Sequence, residues 1–180
     1  GVLFRSSHEL VEIESCLIAS LDSPHQLRQA REWLAVLQTI VRRVELLTEE
    51  KATRSVLVGN AEGVFHADDD FVCQRFLDTH PAIAGLVLFG RGWRREWGKT
   101  QIRLDLGQNE KYQAGEPGEM DTMDSLFLSV SSGTFTQVNS AGNRLLIETL
   151  LHLADFDRRH RVLELYCGAG NLTLPLAYRV

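Results

Sequence analysis

The segment that most constrains this chain lies near its end, where an apolar run meets two closely spaced glycines. Residues 162–171 read V-L-E-L-Y-C-G-A-G-N. The apolar part, which carries Glu164, predicts a buried strand, and Gly168 and Gly170 predict the turn that joins this strand to a helix. Glycines at such a turn let the backbone approach a bound nucleotide closely. Because a doubly wound sheet needs several further strands and the chain ends at Val180, we expect a truncated nucleotide-binding α/β domain.

The sequence before residue 107 is typical of a small α+β domain. Ser23 and Pro24 predict the start of a helix, because serine caps helices and proline fits their first turn. The acidic run at 68–70 predicts the start of a second helix, where the helix dipole favours negative charge. The other predicted elements are a hairpin over 1–15 and strands at 41–47, 55–59, 83–89 and 101–106.

A stretch rich in glycine and glutamate, 107–124, predicts a link between two domains. We therefore expect an α+β central domain at 1–123 and the N-terminal part of a nucleotide-binding domain at 124–180. The second domain would begin with a strand at 125–130. A helix at 140–154, with its leucines forming a buried stripe, would follow.

Two polar motifs flank that helix. Asn139 directly precedes it and is best explained as its N-cap. Gln137 offers two hydrogen-bond donors and an acceptor and has no evident structural task, although an ordinary surface glutamine remains an alternative. After the helix, Thr173 occupies the place of the third glycine of a dinucleotide fingerprint, which favours a methyl-donor site over a dinucleotide site. The alternative for the glycine pair is a purely structural turn.

Composition narrows the class of protein. The formal net charge of −5 argues against strong nonspecific binding of nucleic acid by this chain alone. No run of 18 apolar residues is present, so we expect no membrane span. The three cysteines, Cys16, Cys73 and Cys167, are far apart, which argues against a disulfide framework and favours a reducing cytoplasm. We interpret Cys73 and Cys167 as ordinary small buried side chains.

A basic and aromatic cluster lies between two predicted strands. Arginine can pair with phosphate and tryptophan can stack on an unpaired base, so RNA contact is one interpretation. The alternative is a solvated loop whose tryptophans pack into the core. The residues concerned are Arg91, Trp93, Arg94, Arg95, Trp97 and Lys99.

Taken together, the motifs resemble those of a known family. F-x-Q-V-N-x-x-x-N at 135–143, then a helix, then V-L-E-L-Y-C-G-A-G-N-L-T-L-P-L-A at 162–177 is similar to the RNA 5-methyluridine (uracil-C5) methyltransferases. The similarity is greatest to the ribosomal-RNA members that carry an iron–sulfur cluster. The opening G-V-L-F-R-S-S-H-E-L-V-E-I-E-S-C also resembles, more weakly, the segment that opens the central domain of that family.

The resemblance implies a Rossmann-like domain that binds S-adenosylmethionine. Gln137, Tyr166 and Asn171 match family positions that contact this methyl donor, and Gly168 and Gly170 match the loop that admits it. The family uses covalent catalysis, in which a cysteine adds to the uracil ring before methyl transfer. That cysteine belongs to a Ser-Cys-Asn segment absent from this sequence, so the resemblance implies no catalytic residue here and no methyl transfer by this chain alone.

The resemblance also implies partners and a second cofactor. Cys16 matches the last of four cysteines that hold a [4Fe–4S] cluster, and a cluster that needs four thiolates cannot be held by one. Ribosomal RNA would be the substrate, with its target base flipped out or already unpaired. An unpaired sheet edge after Cys167 would favour self-association.

Two other functions stay open at this point. The chain could belong to a methyltransferase that uses the same donor loop on another class of substrate. It could instead be a non-catalytic RNA-binding or assembly module in which the glycine loop is purely structural.

Overall fold

The computed structural model describes residues 2–3, 10–11, 23–48, 54–108, 125–137 and 139–180. These residues belong to two compact units. Unit 1 comprises Gly1–Thr48 and Thr53–Thr100, and unit 2 comprises Glu49–Ala52 and Gln101–Val180. The architecture is mixed α/β, as the sequence predicts. The division by contacts falls at residue 100, ahead of the link predicted at 107–124.

Unit 1 is built on a four-stranded sheet in the order β3-β4-β5-β6. Antiparallel pairing joins β3 to β4 and β5 to β6, whereas β4 and β5 are parallel because helix α2 connects them. A separate antiparallel pair, β1 with β2, lies in the predicted hairpin. The elements are β1 Val2–Leu3, β2 Leu10–Val11, α1 Ser23–Val36, β3 Val41–Thr48, β4 Ser55–Ala61, α2 Asp69–Thr79, β5 Ile83–Gly90 and β6 Trp93–Gly98.

The core of unit 1 lies between its two central strands and its two helices. Leu57 on β4 and Leu86 on β5 are fully buried, as expected for strands with neighbours on both sides. Trp33 from α1 packs into the same cluster and donates a hydrogen bond from its Nε1 to the Sγ of Cys73 on α2, at 3.4 Å. The tryptophan N–H therefore has a partner although the ring is buried.

The acidic run at 68–70 does more than favour a helix start. Asp69 is fully buried, and its carboxylate accepts hydrogen bonds from the backbone N–H groups of Gln38 (2.9 Å) and Thr39 (2.8 Å). These groups belong to the loop between α1 and β3. The Asp69 side chain thus fastens that loop to the first turn of α2, a role that the helix-dipole argument did not predict.

Unit 2 contains a β-ribbon and a long helix. Strand β7 (Gln101–Gln108) pairs antiparallel with β8 (Ser125–Ser131), and helix α3 (Ser140–Ala154) follows. A short helix, α4 (Thr173–Ala177), follows the glycine turn. The Asn139 side chain accepts a hydrogen bond from the Gly142 N–H at 2.9 Å, which confirms the predicted N-cap. The bounds predicted for α3 are also confirmed.

Three predictions of local structure are wrong. Residues 161–167 do not form a strand, and Leu163 is 83% exposed, because no strand in the described part of the chain lies beside this segment to pair with it. The leucine stripe of α3 is largely exposed, and the residues of α3 that are buried are Asn143 and Ile147. The segment 93–98, interpreted as a loop, is strand β6 at the edge of the sheet.

Candidate functional site

A cavity of about 470 Å³ lies within unit 2 between two loops. One loop, 134–137, joins β8 to α3, and the other contains the glycine turn ahead of α4. Gln137, Tyr166, Gly168 and Asn171 all line this cavity, although the first two lie 29 positions apart in the sequence. The structure therefore brings together both motifs in one hollow.

The glycine turn depends on backbone conformations that other residues rarely adopt. Gly168 has a φ of 56° and Gly170 a φ of 93°, both in the left-handed region. The Gly170 N–H donates to the Cys167 carbonyl at 2.9 Å and closes the turn. A Cβ on Gly168 would meet no atom within 4 Å, so the conformation rather than crowding requires glycine there. Gly170 does not line the cavity but sets the path of the loop that does.

Tyr166 is unusual in both backbone and side chain. Its φ is 60°, which a bulky residue adopts only at a cost of about 1–3 kcal/mol. Its side chain is fully exposed at the cavity, which the largely exposed Phe135 also lines. Strained residues of this kind cluster at ligand sites, and here the strain presents an aromatic ring to the cavity.

Asn143 and Asn171 form a reciprocal pair of hydrogen bonds. The Nδ2 of Asn143 donates to the Oδ1 of Asn171, and the Nδ2 of Asn171 donates to the Oδ1 of Asn143, each at 2.8 Å. Asn143 lies on the buried side of α3, one turn after the Asn139 cap. The pair therefore fastens the glycine loop to helix α3, which begins three residues after Gln137.

A second side-chain contact closes the loop on itself. The hydroxyl of Thr173 donates to the Oε2 of Glu164 at 2.6 Å. These residues lie on either side of the glycine turn, so their contact holds the two ends of the loop together. The sequence indicates only that Thr173 replaces a glycine of the dinucleotide fingerprint and that Asn143 ends a motif. Sequence spacing predicts neither the Thr173–Glu164 contact nor the Asn143–Asn171 pair.

The cysteines differ in environment. Cys73 is buried, and desolvation by that burial raises the pKa of its thiol to about 12. Cys167 is exposed and lines the cavity, so the prediction that it is buried at a strand end is wrong, because the strand itself does not form. Cys16 lies outside the described residues. Within the described ranges, no group of three or more His, Cys, Asp or Glu side chains is placed to hold a metal ion.

The basic and aromatic cluster of unit 1 is largely engaged in the fold. Trp93 donates from its Nε1 to the Gly63 carbonyl at 3.0 Å, and Trp97 donates to Asp70 Oδ1 at 3.2 Å. Both rings pack on Phe65, at 5.4 and 6.0 Å between centroids. The tryptophans thus pack against the core, as the alternative to RNA contact predicts.

Comparisons with known proteins agree with the motifs. The profile of the tRNA (Uracil-5-)-methyltransferase family matches residues 121–180, which include both loops that line the cavity. Relatives matched over nearly all of this chain include 23S rRNA (uracil(1939)-C(5))-methyltransferases. The chain is thus similar to RNA (uracil-C5) methyltransferases.

Individual relatives show how far the similarity extends. The Klebsiella pneumoniae subsp. pneumoniae methyltransferase is 47% identical over 183 aligned positions, covering 99% of this chain and 37% of the relative. The Haemophilus parainfluenzae methyltransferase is 45% identical, covering 100% and 37%. The Pectobacterium carotovorum methyltransferase is 29% identical, covering 99% and 36%. The chain therefore spans little more than a third of the length of these relatives.

Proposed function

We propose that the complete protein containing this chain is an S-adenosylmethionine-dependent RNA (uracil-C5) methyltransferase that acts on ribosomal RNA. This chain would supply part of the methyl-donor site. The observation that carries the proposal is the shared cavity of unit 2, where the amide of Gln137 and the loop from Tyr166 to Asn171 meet. The names of the relatives support RNA as the substrate.

The residues of the cavity suit S-adenosylmethionine. A volume of about 470 Å³ lies in the range of pockets for small ligands. Gln137 is exposed and can both donate and accept a hydrogen bond, as the donor's amino-acid or ribose groups require. Tyr166 offers an aromatic face, and the glycine turn admits the ligand close to the backbone.

The donor supplies an electrophilic methyl group when it is bound, and this chain's task is to bind and orient it. Gln137 would hold a polar group of the donor, and the ring of Tyr166 would cover an apolar part and exclude water. Cys167 would have no catalytic part, because the resemblance implies a nucleophile in a Ser-Cys-Asn segment that this sequence lacks. We therefore expect no methyl transfer by the chain alone.

Calorimetric titration of the complete protein with S-adenosylmethionine tests the donor site. We expect binding that Gln137→Ala weakens about tenfold, since a lost hydrogen bond to a ligand costs on the order of 1 kcal/mol or more. Gln38→Ala, an exposed glutamine in unit 1, is the matched control and should bind normally. Absence of binding by the unaltered protein, or equal affinity in both variants, would contradict the proposal.

The RNA substrate is tested separately. We expect the complete protein to form 5-methyluridine in unmodified 23S ribosomal RNA, with mass spectrometry of nuclease digests as the readout. Methylation of a protein or a small molecule instead would favour the other substrate classes. Donor binding without any methyl transfer would favour a non-catalytic module.

A [4Fe–4S] cluster is a further part of the proposal. The chain has three cysteines in all, and Cys73 is buried, so its own thiols do not make up the four ligands required. Cys16 would supply one ligand and the rest of the protein the others. Anaerobically purified complete protein should contain iron and acid-labile sulfide, and Cys16→Ser should lower both, whereas Cys167→Ser should not.

We also propose a cytoplasmic location, where ribosomal RNA and reduced thiols are found. In the part of the chain that the structure describes, no helix combines the length and apolar character needed to cross a bilayer.

A further inference from the structure

Asn143 does not line the cavity, but it is hydrogen-bonded to Asn171, which does. We propose that Asn143 is a positioning residue of the donor site, which fixes the amide of Asn171 and with it the glycine loop. The inference rests on the proposed donor site and adds to it a residue beyond the donor contacts.

The geometry of the pair allows Asn143 to fix the orientation of the Asn171 amide. Each carboxamide both donates to and accepts from the other at 2.8 Å, so rotating the Asn171 amide by half a turn would place oxygen against oxygen and nitrogen against nitrogen. The pair therefore fixes which side of the Asn171 amide carries its oxygen. Only one hydrogen of Nδ2 and one lone pair of Oδ1 are used on each side, which leaves Asn171 able to bind a ligand as well.

The burial of Asn143 raises the free-energy cost of breaking this contact. Asn143 is 8% exposed, so its carboxamide would lose a hydrogen-bond partner that water does not readily replace if Asn171 moved away. The same helix face is held by Ile147, one turn later, which is 3% exposed. The loop is thus attached to a helix face that is itself anchored in unit 2.

The contact links the two halves of the cavity. Asn143 lies in the first turn of α3, whose cap Asn139 follows Gln137 by two residues. Asn171 lies in the loop that carries Tyr166 and Gly168 into the cavity. The pair is therefore a direct side-chain link between the Gln137 side and the glycine-loop side. Losing the pair would remove this link and leave both sides of the cavity present.

The test is a double-mutant cycle on donor affinity in the complete protein. Asn143→Ala should weaken S-adenosylmethionine binding about fivefold by calorimetry, because the hydrogen-bonded partner of Asn171 is lost. In an Asn171→Ala background the same substitution should have almost no further effect, since there is no amide left to position. A purely structural role would give additive effects on affinity.

A matched control separates positioning from general loss of stability. Ile147→Val removes one methyl group from the same buried face of α3 and costs about 0.5–1.5 kcal/mol of stability without touching Asn171. It should lower the melting temperature of the ligand-free protein and leave donor affinity unchanged. If Asn143→Ala weakens binding no more than Ile147→Val, the positioning role is wrong.

Different results would overturn the donor site and the role of Asn143. No binding of S-adenosylmethionine by the unaltered protein would overturn the donor site itself. Binding that Asn171→Ala weakens and Asn143→Ala leaves unchanged would retain the donor site and overturn the role of Asn143.

Discussion

The site combines residues that are ordinary in type but unusual in conformation. Gly168 and Gly170 turn the chain through the left-handed region, and Tyr166 adopts it despite its side chain. Because the strain lies in the loop that lines the cavity, the affinity for a ligand should depend on the backbone there as much as on side-chain contacts. Substitutions that change only the backbone preference test this dependence.

Gly168→Ala is the first such test. At a φ of 56° an alanine costs about 1–2 kcal/mol, and the turn should relax to avoid that cost. We expect lower stability and at least severalfold weaker binding of S-adenosylmethionine to the complete protein, by thermal melting and calorimetry.

Gly92→Ala is the control for that substitution. Gly92 has a φ of 82° and, like Gly168, open space where a Cβ would lie, but it belongs to the β5–β6 turn of unit 1. It should lower stability by a similar amount and leave donor affinity unchanged. Equal losses of affinity in both variants would show that general destabilisation explains the result.

Cys73 and Cys167 should differ in reactivity. Burial raises the pKa of the Cys73 thiol to about 12, whereas Cys167 is exposed at the cavity. With iodoacetamide at pH 8 under native conditions, peptide mass spectrometry should find Cys167 alkylated and Cys73 unmodified. Rapid labelling of Cys73 without denaturant would contradict the packing of unit 1.

The same shift predicts a dependence of stability on pH. The folded-state pKa of Cys73 lies above the ordinary value of 9.0, so the unfolded chain loses this proton first as pH rises. The stabilisation is complete below about pH 9 and is lost as pH rises towards 12. Chemical denaturation across this window should show a steeper fall in the free energy of unfolding for the native sequence than for Cys73→Ala.

At the scale of elements, the sequence predicted those whose pattern is local. Helix α3 has a clear cap at Asn139 and a helical apolar period, and its bounds are as predicted. Strands β4 and β5 contain continuous apolar runs, and the sequence predicts both of them. Strand β6 was missed because its exposed positions carry arginines and glutamate at a sheet edge, which look like a loop.

The strand predicted in the segment 161–167 does not form, although its pattern suggests one. Its apolar pattern is that of a buried strand, but a strand forms only against a neighbour, and the described part of the chain places none beside it. The candidate site was predictable as two motifs. Their meeting in one cavity, the Asn143–Asn171 pair and the Thr173–Glu164 contact depend on tertiary structure that spacing does not reveal.

An element-scale prediction concerns the loop held by Asp69. Asp69→Ala should cost about 2–4 kcal/mol of the free energy of unfolding, because two backbone N–H groups, of Gln38 and Thr39, lose a charged acceptor. Asp78→Ala, which removes an exposed carboxylate from the same helix, should cost less than about 0.5 kcal/mol. Urea denaturation measures both, and equal costs would contradict the role assigned to Asp69.

At the scale of the whole molecule, unit 2 exposes much apolar surface. Leu153 is 77% exposed on α3 and Leu165 is 72% exposed in the segment without a strand partner. Surfaces of this kind favour association. The earlier expectation of self-association therefore stays a prediction, now argued from apolar surface.

Light scattering on the isolated chain tests that prediction. We expect a mass that rises with protein concentration, and Leu153→Glu combined with Leu165→Glu should reduce the rise. Glu148→Lys, an exposed change on the same helix, should not. A concentration-independent monomer would contradict the prediction.

Photocrosslinking shows whether the cavity of unit 2 binds S-adenosylmethionine. The complete protein is irradiated with the radiolabelled donor, digested, and the labelled peptides are sequenced, with excess S-adenosylhomocysteine as competitor. We expect competitor-sensitive label in the peptides containing Tyr166 or Gln137. Competitor-sensitive label confined to peptides outside 134–172 would contradict it.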